Sequence, residues 1–277
     1  MSKSGKGNGI IPKGYDPIAP MLLIDTSLFK NLEKLAKQTD LLLWNAYDSA
    51  VRKTYNKVKS RLVFPTFANG KIRVSEQEAR FFFIRALEDS PFLYSVETPT
   101  LRRYHQSGKS SSRASFDVTI RDYKTNSLLN CEFKFGGISP RRKSSKSVAK
   151  DLEKLLRDPG DGLWFHLLEA VDNSTLLNVL TIIARDIKAL LSRYPNEIDP
   201  KSLVFHISVL RQHFSIHKEV VLNPKADMEA SLERQLNFTY KVTRNAILSV
   251  QGKNEWRVFQ FRRQDLGGKL ISQSINE

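Results

Sequence analysis

The sequence predicts an α/β protein, on three observations. Between residues 75 and 171 helical and extended patterns follow one another in the order helix, strand, strand, strand, helix, strand. A chain of 277 residues with 40% apolar and 26% charged side chains can bury a sizeable core. It has one cysteine, Cys131, so no intrachain disulfide can form, and a structural zinc centre, which usually takes several cysteines, is disfavoured.

The elements follow from spacing and punctuation. Residues 1–20 carry four Gly and three Pro among Ser and Lys and read as a flexible basic arm. From Ser27 to about Arg61, Leu28, Leu32, Leu35, Leu42 and Ala46 recur at helical spacings behind the capping run Asp25-Thr26-Ser27. Pro65 and Asn69-Gly70 end that segment. Ser75 and Glu78 form a capping box that opens a helix running to about Asp89, where Pro91 stops it. Phe92–Thr98 is extended, residues 105–113 are a polar loop, and 114–122 and 128–135 are strands joined by Tyr123-Lys124-Thr125-Asn126. The basic loop 136–147 leads to a helix at 148–157, broken by Asp158-Pro159-Gly160-Asp161-Gly162. A buried strand at 163–171 and an amphipathic helix at 174–193 follow. Beyond Pro200 the pattern is strand-like, including 202–210 and 256–261. The expected organisation is therefore a helical N-terminal extension at 21–70, a core at 71–195 and an α+β region at 196–277 on or beside the core.

In the first strand of the central hairpin, Phe116, Val118 and Ile120 alternate with Asp117 and Thr119. In the second, Leu129, Cys131, Phe133 and Phe135 alternate with Asn130, Glu132 and Lys134. A four-residue loop at 123–126 pairs Asp122 with Ser127, and counting back pairs Asp117 with Glu132, with side chains about 5 Å apart. Like charges in that position destabilise a hairpin unless something offsets them. A divalent cation does so, because carboxylate oxygens are preferred ligands of Mg²⁺. Lys134, two residues along the same face, can hold a water or stabilise charge on a phosphate. The structural alternative is a solvated strand face on which Lys134 neutralises Glu132.

The arrangement Asp117, fourteen residues, then Glu132-Phe133-Lys134 resembles the motif of the PD-(D/E)XK, or restriction-endonuclease-like, nuclease superfamily. The resemblance covers residues 75–171, and its element order is the one read above. It implies a restriction-endonuclease-like core, a mixed central sheet flanked by helices. It implies Mg²⁺ or Mn²⁺ held by Asp117 and Glu132, and a water positioned or activated by Lys134. It also implies a further glutamate from the first core helix, at Glu78 with Glu76 as the alternative, although Glu78 already has a capping role. Phe116 stands where the pattern often has proline. Lys150 or Lys154, on the helix after the basic loop, could also serve the site; the structural alternative is a solvated helix face. The implied activity is metal-dependent endonuclease cleavage of phosphodiesters, with DNA favoured by the resemblance.

Charge points the same way. The chain carries a net +15, and 12 of its Lys and Arg residues lie between Arg102 and Lys150 against three acids. Lys109 and Arg113 before Asp117, and Arg141, Arg142, Lys143 and Lys146 after Lys134, are candidate phosphate contacts. Such an excess implies a polyanionic partner. The charges sit on loops rather than on an amphipathic helix, and no apolar run is long enough to span a bilayer, so a nucleic acid is expected and a membrane is not. The expected location is cytoplasmic, with a homodimer or other subunits compatible. The alternative reading is a non-cleaving nucleic-acid scaffold, or a subunit of a larger DNA-processing or phage-defence assembly. Gly108-Lys109-Ser110 is not a P-loop, since Arg103 occupies the position of its first glycine. His166 and His206 read as satisfied core residues, and His213 and His217 as surface ones.

Overall fold

A computed structural model describes residues 26–55, 62–104, 112–137, 143–171 and 173–222, with three short strands at 239–242, 248–251 and 257–260. In chain order the elements are α1 (Thr26–Arg52), α2 (Glu76–Leu87), β1 (Leu93–Tyr104), β2 (Ser112–Arg121), β3 (Leu128–Phe135), α3 (Lys143–Arg157), β4 (Asp161–Leu168), α4 (Asn173–Arg193), β5 (Lys201–Val209), β6 (Phe214–Leu222), β7 (Thr239–Val242), β8 (Leu248–Gln251) and β9 (Arg257–Gln260). The expected order through the core is present. Strands β1 to β6 form one mixed sheet in sequence order, extended at the β6 side by β9, while β7 and β8 pair with each other. The β3–β4 and β4–β5 pairings are parallel and the others in the large sheet are antiparallel.

The parallel strands β4 and β5 are buried along their whole length, as the helices covering them require. Successive side chains alternate between two cores. Cys131, Phe133, Leu163, Phe165 and Val204 pack beneath α1 and α2, while Trp164, Leu168, Leu203, Phe205 and Ile207 pack beneath α3 and α4. Phe133 lies 5.4 Å from Phe165, ring stacked on ring, and 5.2 Å from Phe83 of α2 edge-on.

Helix α1 belongs to the same core. Leu35, Leu43, Trp44 and Tyr47 are buried there. Asp40 of α1, fully buried, meets Nε2 of His206 on β5 at 3.0 and 3.1 Å, and His206 Nδ1 is 3.2 Å from Nδ1 of His217 on β6. His206 is thus a satisfied core residue, as expected; His217 is buried and does not lie on the surface as the sequence suggested. The boundaries expected at 70 and 195 do not separate cores, because α1 packs on β3–β5 and β5 continues the sheet from β4. The described part of 196–222 is strand and turn, and the arm at 1–20 lies outside the described residues.

Three element boundaries differ from the expected ones by five residues or more. Helix α1 ends at Arg52, because Lys53 adopts φ +55°; the Thr54 amide then reaches the Ser49 carbonyl at 2.9 Å and the Lys53 amide reaches that of Ala50 at 3.4 Å. This closure usually uses glycine, so a lysine gave no stop signal. Helix α3 starts at Lys143 rather than 148; Val148 opens the apolar pattern but not the helix. Strand β1 runs on to Tyr104 past Pro99, which an edge strand tolerates because no partner needs its missing N–H. Its pairing with β2 shifts between Pro99 and Arg103. In that shift the amides of Leu101 and Arg102 donate to the Asp158 carboxylate at 2.7 and 3.1 Å, and the Tyr104 hydroxyl joins them at 2.6 Å. Leu93 and Val96, earlier in this strand, are more than half exposed.

At Gly160 (φ +93°) a Cβ would stand 2.8 Å from the Leu128 carbonyl, so only glycine lets β4 start against β3. The buried Lys201 ammonium caps the last turn of α3 through the Leu155 and Asp158 carbonyls, and burial lowers its pKa to about 8. No described helix is long and apolar enough to cross a membrane.

The aromatic stack fixes the β3–β4 contact with α2. Phe133→Ala is expected to lower unfolding stability by about 3–5 kcal/mol, read as a shifted urea midpoint at unchanged m-value.

Candidate active site

The hairpin register is the one the loop length dictates. Val118 pairs with Cys131, Thr119 with Asn130, Ile120 with Leu129 and Arg121 with Leu128, and the Asp122 amide donates to the Ser127 carbonyl at 3.0 Å. One step further, at Asp117 and Glu132, the ladder stops. Were the alternation of hydrogen-bonded pairs to continue, the Phe133 amide would donate to the Phe116 carbonyl. It donates instead to Asp117 Oδ2 at 2.8 Å. Beyond this point β2 changes face: Val118 and Ile120 belong to the core under α1 and α2, whereas Phe116 belongs to the one under α3 and α4. The alternation expected for Phe116 therefore fails at the residue beside the motif.

Opposite Asp117, between the pairs Val96–Val118 and Thr98–Phe116, stands Glu97 at φ +50°. A non-glycine residue in that conformation is strained and needs support from its surroundings. Arg80 of α2 supplies it, holding Glu97 Oε1 at 2.5 Å while lying 3.7 Å from Asp117 Oδ1.

Glu132 and Lys134 project toward α3, since their β4 neighbours are Trp164 and His166 and Trp164 lies in the core beneath that helix. Helix α3 answers them with Asp151 and Lys154, one turn apart. Lys154 Nζ lies 2.5 Å from Glu132 Oε1, 2.9 Å from Asp151 Oδ1 and 2.9 Å from the Ser115 carbonyl. Lys134 Nζ lies 2.6 Å from Asp151 Oδ2 and 3.9 Å from Glu76 Oε2 at the start of α2. Glu132 and Lys134 thus share one charged cluster, while Asp117 is tied to the Phe133 amide and Arg80 and acts on Glu132 through its charge. Lys154, weighed in the sequence against a solvated helix face, is buried within the cluster; Lys150 is exposed.

Glu78 is not brought to the cluster. Its carboxylate closes the capping box, accepting from the Ser75 amide at 2.7 Å and the Ser75 hydroxyl at 2.5 Å, and lies 3.9 Å from Arg73. The α2 carboxylate that faces the cluster is Glu76, the alternative position. Three participants went unmarked in the sequence: Asp151, Arg80 and Glu97. Their signals were the i,i+3 pair Asp151/Lys154 behind a basic loop and the i,i+4 pair Glu76/Arg80.

The cluster holds five carboxylates (Glu76, Glu97, Asp117, Glu132, Asp151) against three cations (Arg80, Lys134, Lys154). Burial, then Asp151, pushes the Glu132 pKa well above the usual carboxylate range, against the pull of Lys154. Burial opposes the charges on Lys134 and Lys154, yet Asp151 holds the first and Glu132 with Asp151 the second above the ordinary lysine value. Both lysines therefore remain cations, and Glu132, the most buried acid of the cluster, is the carboxyl most readily protonated. Glu76 is also raised, by burial ahead of the opposing effect of Lys134. Among the described residues no three Asp, Glu, His or Cys side chains converge as a metal cage. Asp117 and Glu132 are the carboxylates that would hold a divalent ion, being the oxygen donors Mg²⁺ takes, and Glu132 Oε1 is already engaged by Lys154 at 2.5 Å.

His166, beside Lys134, is neutral and satisfied, as expected. Its Nε2 is 2.8 Å from the Gly136 carbonyl and its Nδ1 accepts from Trp164 Nε1 at 3.4 Å. Burial lowers its pKa to about 4. Of the expected phosphate contacts, Arg113 is exposed on β2 opposite Arg103. Lys143 and Lys146 fall on the first turn of α3 rather than on a loop. Lys109, Arg141 and Arg142 lie outside the described residues.

No known protein family, curated protein or solved structure matches this chain.

His166 makes stability depend on pH with a definite sign. Its folded pKa lies below the unfolded value of 6.5, so the unfolded chain takes up the extra proton and stability is lost as pH falls from about 6.5 to about 4. Full burial makes that loss roughly 3 kcal/mol at 1.36 kcal/mol per unit. Urea titrations across this window should show a shallower pH dependence for His166→Gln than for the wild type.

Proposed function

We propose that this protein is a metal-dependent nuclease with a restriction-endonuclease-like core, cleaving phosphodiester bonds, of DNA in the first instance. The supporting observation is the break in the β2–β3 ladder. It turns Asp117 to the Phe133 amide, beside a cluster rich in carboxyl groups that Glu132 and Lys134 enter from β3. Asp117 and Glu132 would hold Mg²⁺ or Mn²⁺. The ion would polarise a phosphoryl oxygen and lower the pKa of a bound water. The chain's own part is orientation. The Phe133 amide fixes one oxygen of Asp117, Asp151 fixes the Lys134 ammonium, and Lys134 positions the attacking water or stabilises charge developing on the phosphate. Arg103 and Arg113, facing each other across β1 and β2, repel unless an anion lies against them, which suits a phosphate backbone.

The second reading is a non-cleaving nucleic-acid scaffold, and one observation favours it. Lys154 already sits on Glu132 at 2.5 Å, so a lysine does what the metal would otherwise do.

A melting titration with Mn²⁺, run beside a cleavage assay on plasmid and oligonucleotide DNA and on RNA, separates the two. The nuclease reading expects Mn²⁺ to raise the melting temperature of the wild type but not of Asp117→Asn, which keeps an oxygen for the Phe133 amide. Asp117→Asn should abolish cleavage, and Lys134→Ala should lower kcat by about 10²–10³. Identical metal responses of wild type and Asp117→Asn, with nothing cut, would leave the scaffold.

A further inference from the structure

We propose that the hairpin spanning residues 64–74 is a base-stacking arm for the nucleic acid held at the carboxylate site, with Phe67 as the stacking ring and Lys71 as a phosphate contact; the inference rests on the nucleic-acid reading above. The hairpin is closed by its own backbone. The Phe67 amide donates to the Lys71 carbonyl at 2.8 Å, the Gly70 amide to that of Phe67 at 2.8 Å, and the Arg73 amide to that of Pro65 at 2.7 Å, with Thr66 bridged to Ile72. The turn residue Gly70 has φ +77°, and the Asn69 side chain accepts from the Lys71 amide at 3.1 Å.

The base of the hairpin is anchored. Phe64 is buried, stacked on Phe82 of α2 at 5.9 Å and edge-on to Tyr47 of α1 at 5.7 Å, and Val74 is buried beside the cap of α2. Its tip is not: Phe67 is 53% exposed, and residues 65–71 are exposed throughout. The turn's own backbone bonds hold the ring outward at the tip, where its face is free to take a partner. The charges around it identify the partner. Lys71 and Arg73 are the hairpin's charged side chains, with no acid between Val63 and Val74, in a chain of net +15. An aromatic face with cations beside it suits a base flanked by phosphates, since base–aromatic stacking tolerates any sequence. Position agrees as well. Helix α2 starts three residues after Arg73, and its first residue, Glu76, faces Lys134. At most about 20 Å of chain separates Lys71 from Glu76, so a phosphate at Lys71 and the carboxylate site can lie along one bound strand.

The test is binding of the full chain to a fluorescein-labelled 30-nucleotide single strand, and to its duplex, in EDTA across a salt series. Phe67→Ala should weaken binding to at least one of them about tenfold, with an unchanged salt slope because no charge is lost. Phe67→Trp should restore affinity, and its added indole fluorescence should be quenched on binding. Lys71→Ala should instead reduce the salt slope by about 0.7 on the single strand and about 0.9 on the duplex. Wild-type affinity in Phe67→Ala on both probes overturns the arm while leaving the nuclease reading in place. So does a change confined to self-association or to binding of anionic vesicles. No binding of either probe by the wild type removes the nucleic-acid reading, and the arm with it.

Discussion

The buried carboxylate of Glu132 is the constraint around which the other parts are arranged. A carboxyl group taken out of water between a sheet and a helix is unfavourable, charged or neutral, unless opposite charges or hydrogen bonds meet it. Here Lys154 meets it, and Lys154 in turn is shared with Asp151, which engages Lys134. The chain of ion pairs alternates between β3 and α3, so it fixes the helix's rotation about its own axis as well as its distance from the sheet. The apolar side of α3, through Leu152, Leu155 and Leu156, has to agree with that rotation. Charge and packing thus select the same placement.

Much of this was legible in the residues. The four-residue loop and the alternation on either side of it leave one register for β2 and β3, and that register is present. The order of elements was readable because Pro91, Asn69-Gly70 and Asp158-Pro159-Gly160 punctuate it. What escaped depends on tertiary partners. Phe116 leaves its expected face because Asp117 turns to the Phe133 amide, an event no pattern of period two can encode. Glu97 and Arg80 lie on different elements and meet only once β1 and α2 are both in place. The choice between Glu78 and Glu76 depended on which carboxylate the helix cap used, and the cap took Glu78.

The described parts of the two end segments, α1 and β5–β6, share the packing and the sheet of the rest. Asp40, His206 and His217 form a buried polar chain from α1 through β5 to β6, linking the start of the described protein to strands more than 160 residues later. Tyr47 adds a hydrogen bond from α1 to Glu169, just past β4, at 2.8 Å. A truncation at either expected boundary would orphan buried polar groups, which costs more than losing an apolar contact of the same size.

The irregular β1 also bears on association between molecules. A twelve-residue strand at the rim of a sheet, with Leu93 and Val96 exposed, is the kind of surface on which another chain's strand can build. Three features stand in the way. Glu97 bends the backbone out of the extended conformation, Pro99 offers no amide, and the amides of Leu101 and Arg102 are already taken by Asp158. A docking strand would find at most four consecutive regular residues before the pattern fails. The distortion that sets Glu97 opposite Asp117 therefore also resists edge-to-edge aggregation, and straightening it at either Glu97 or Pro99 would open that side of the sheet to growth.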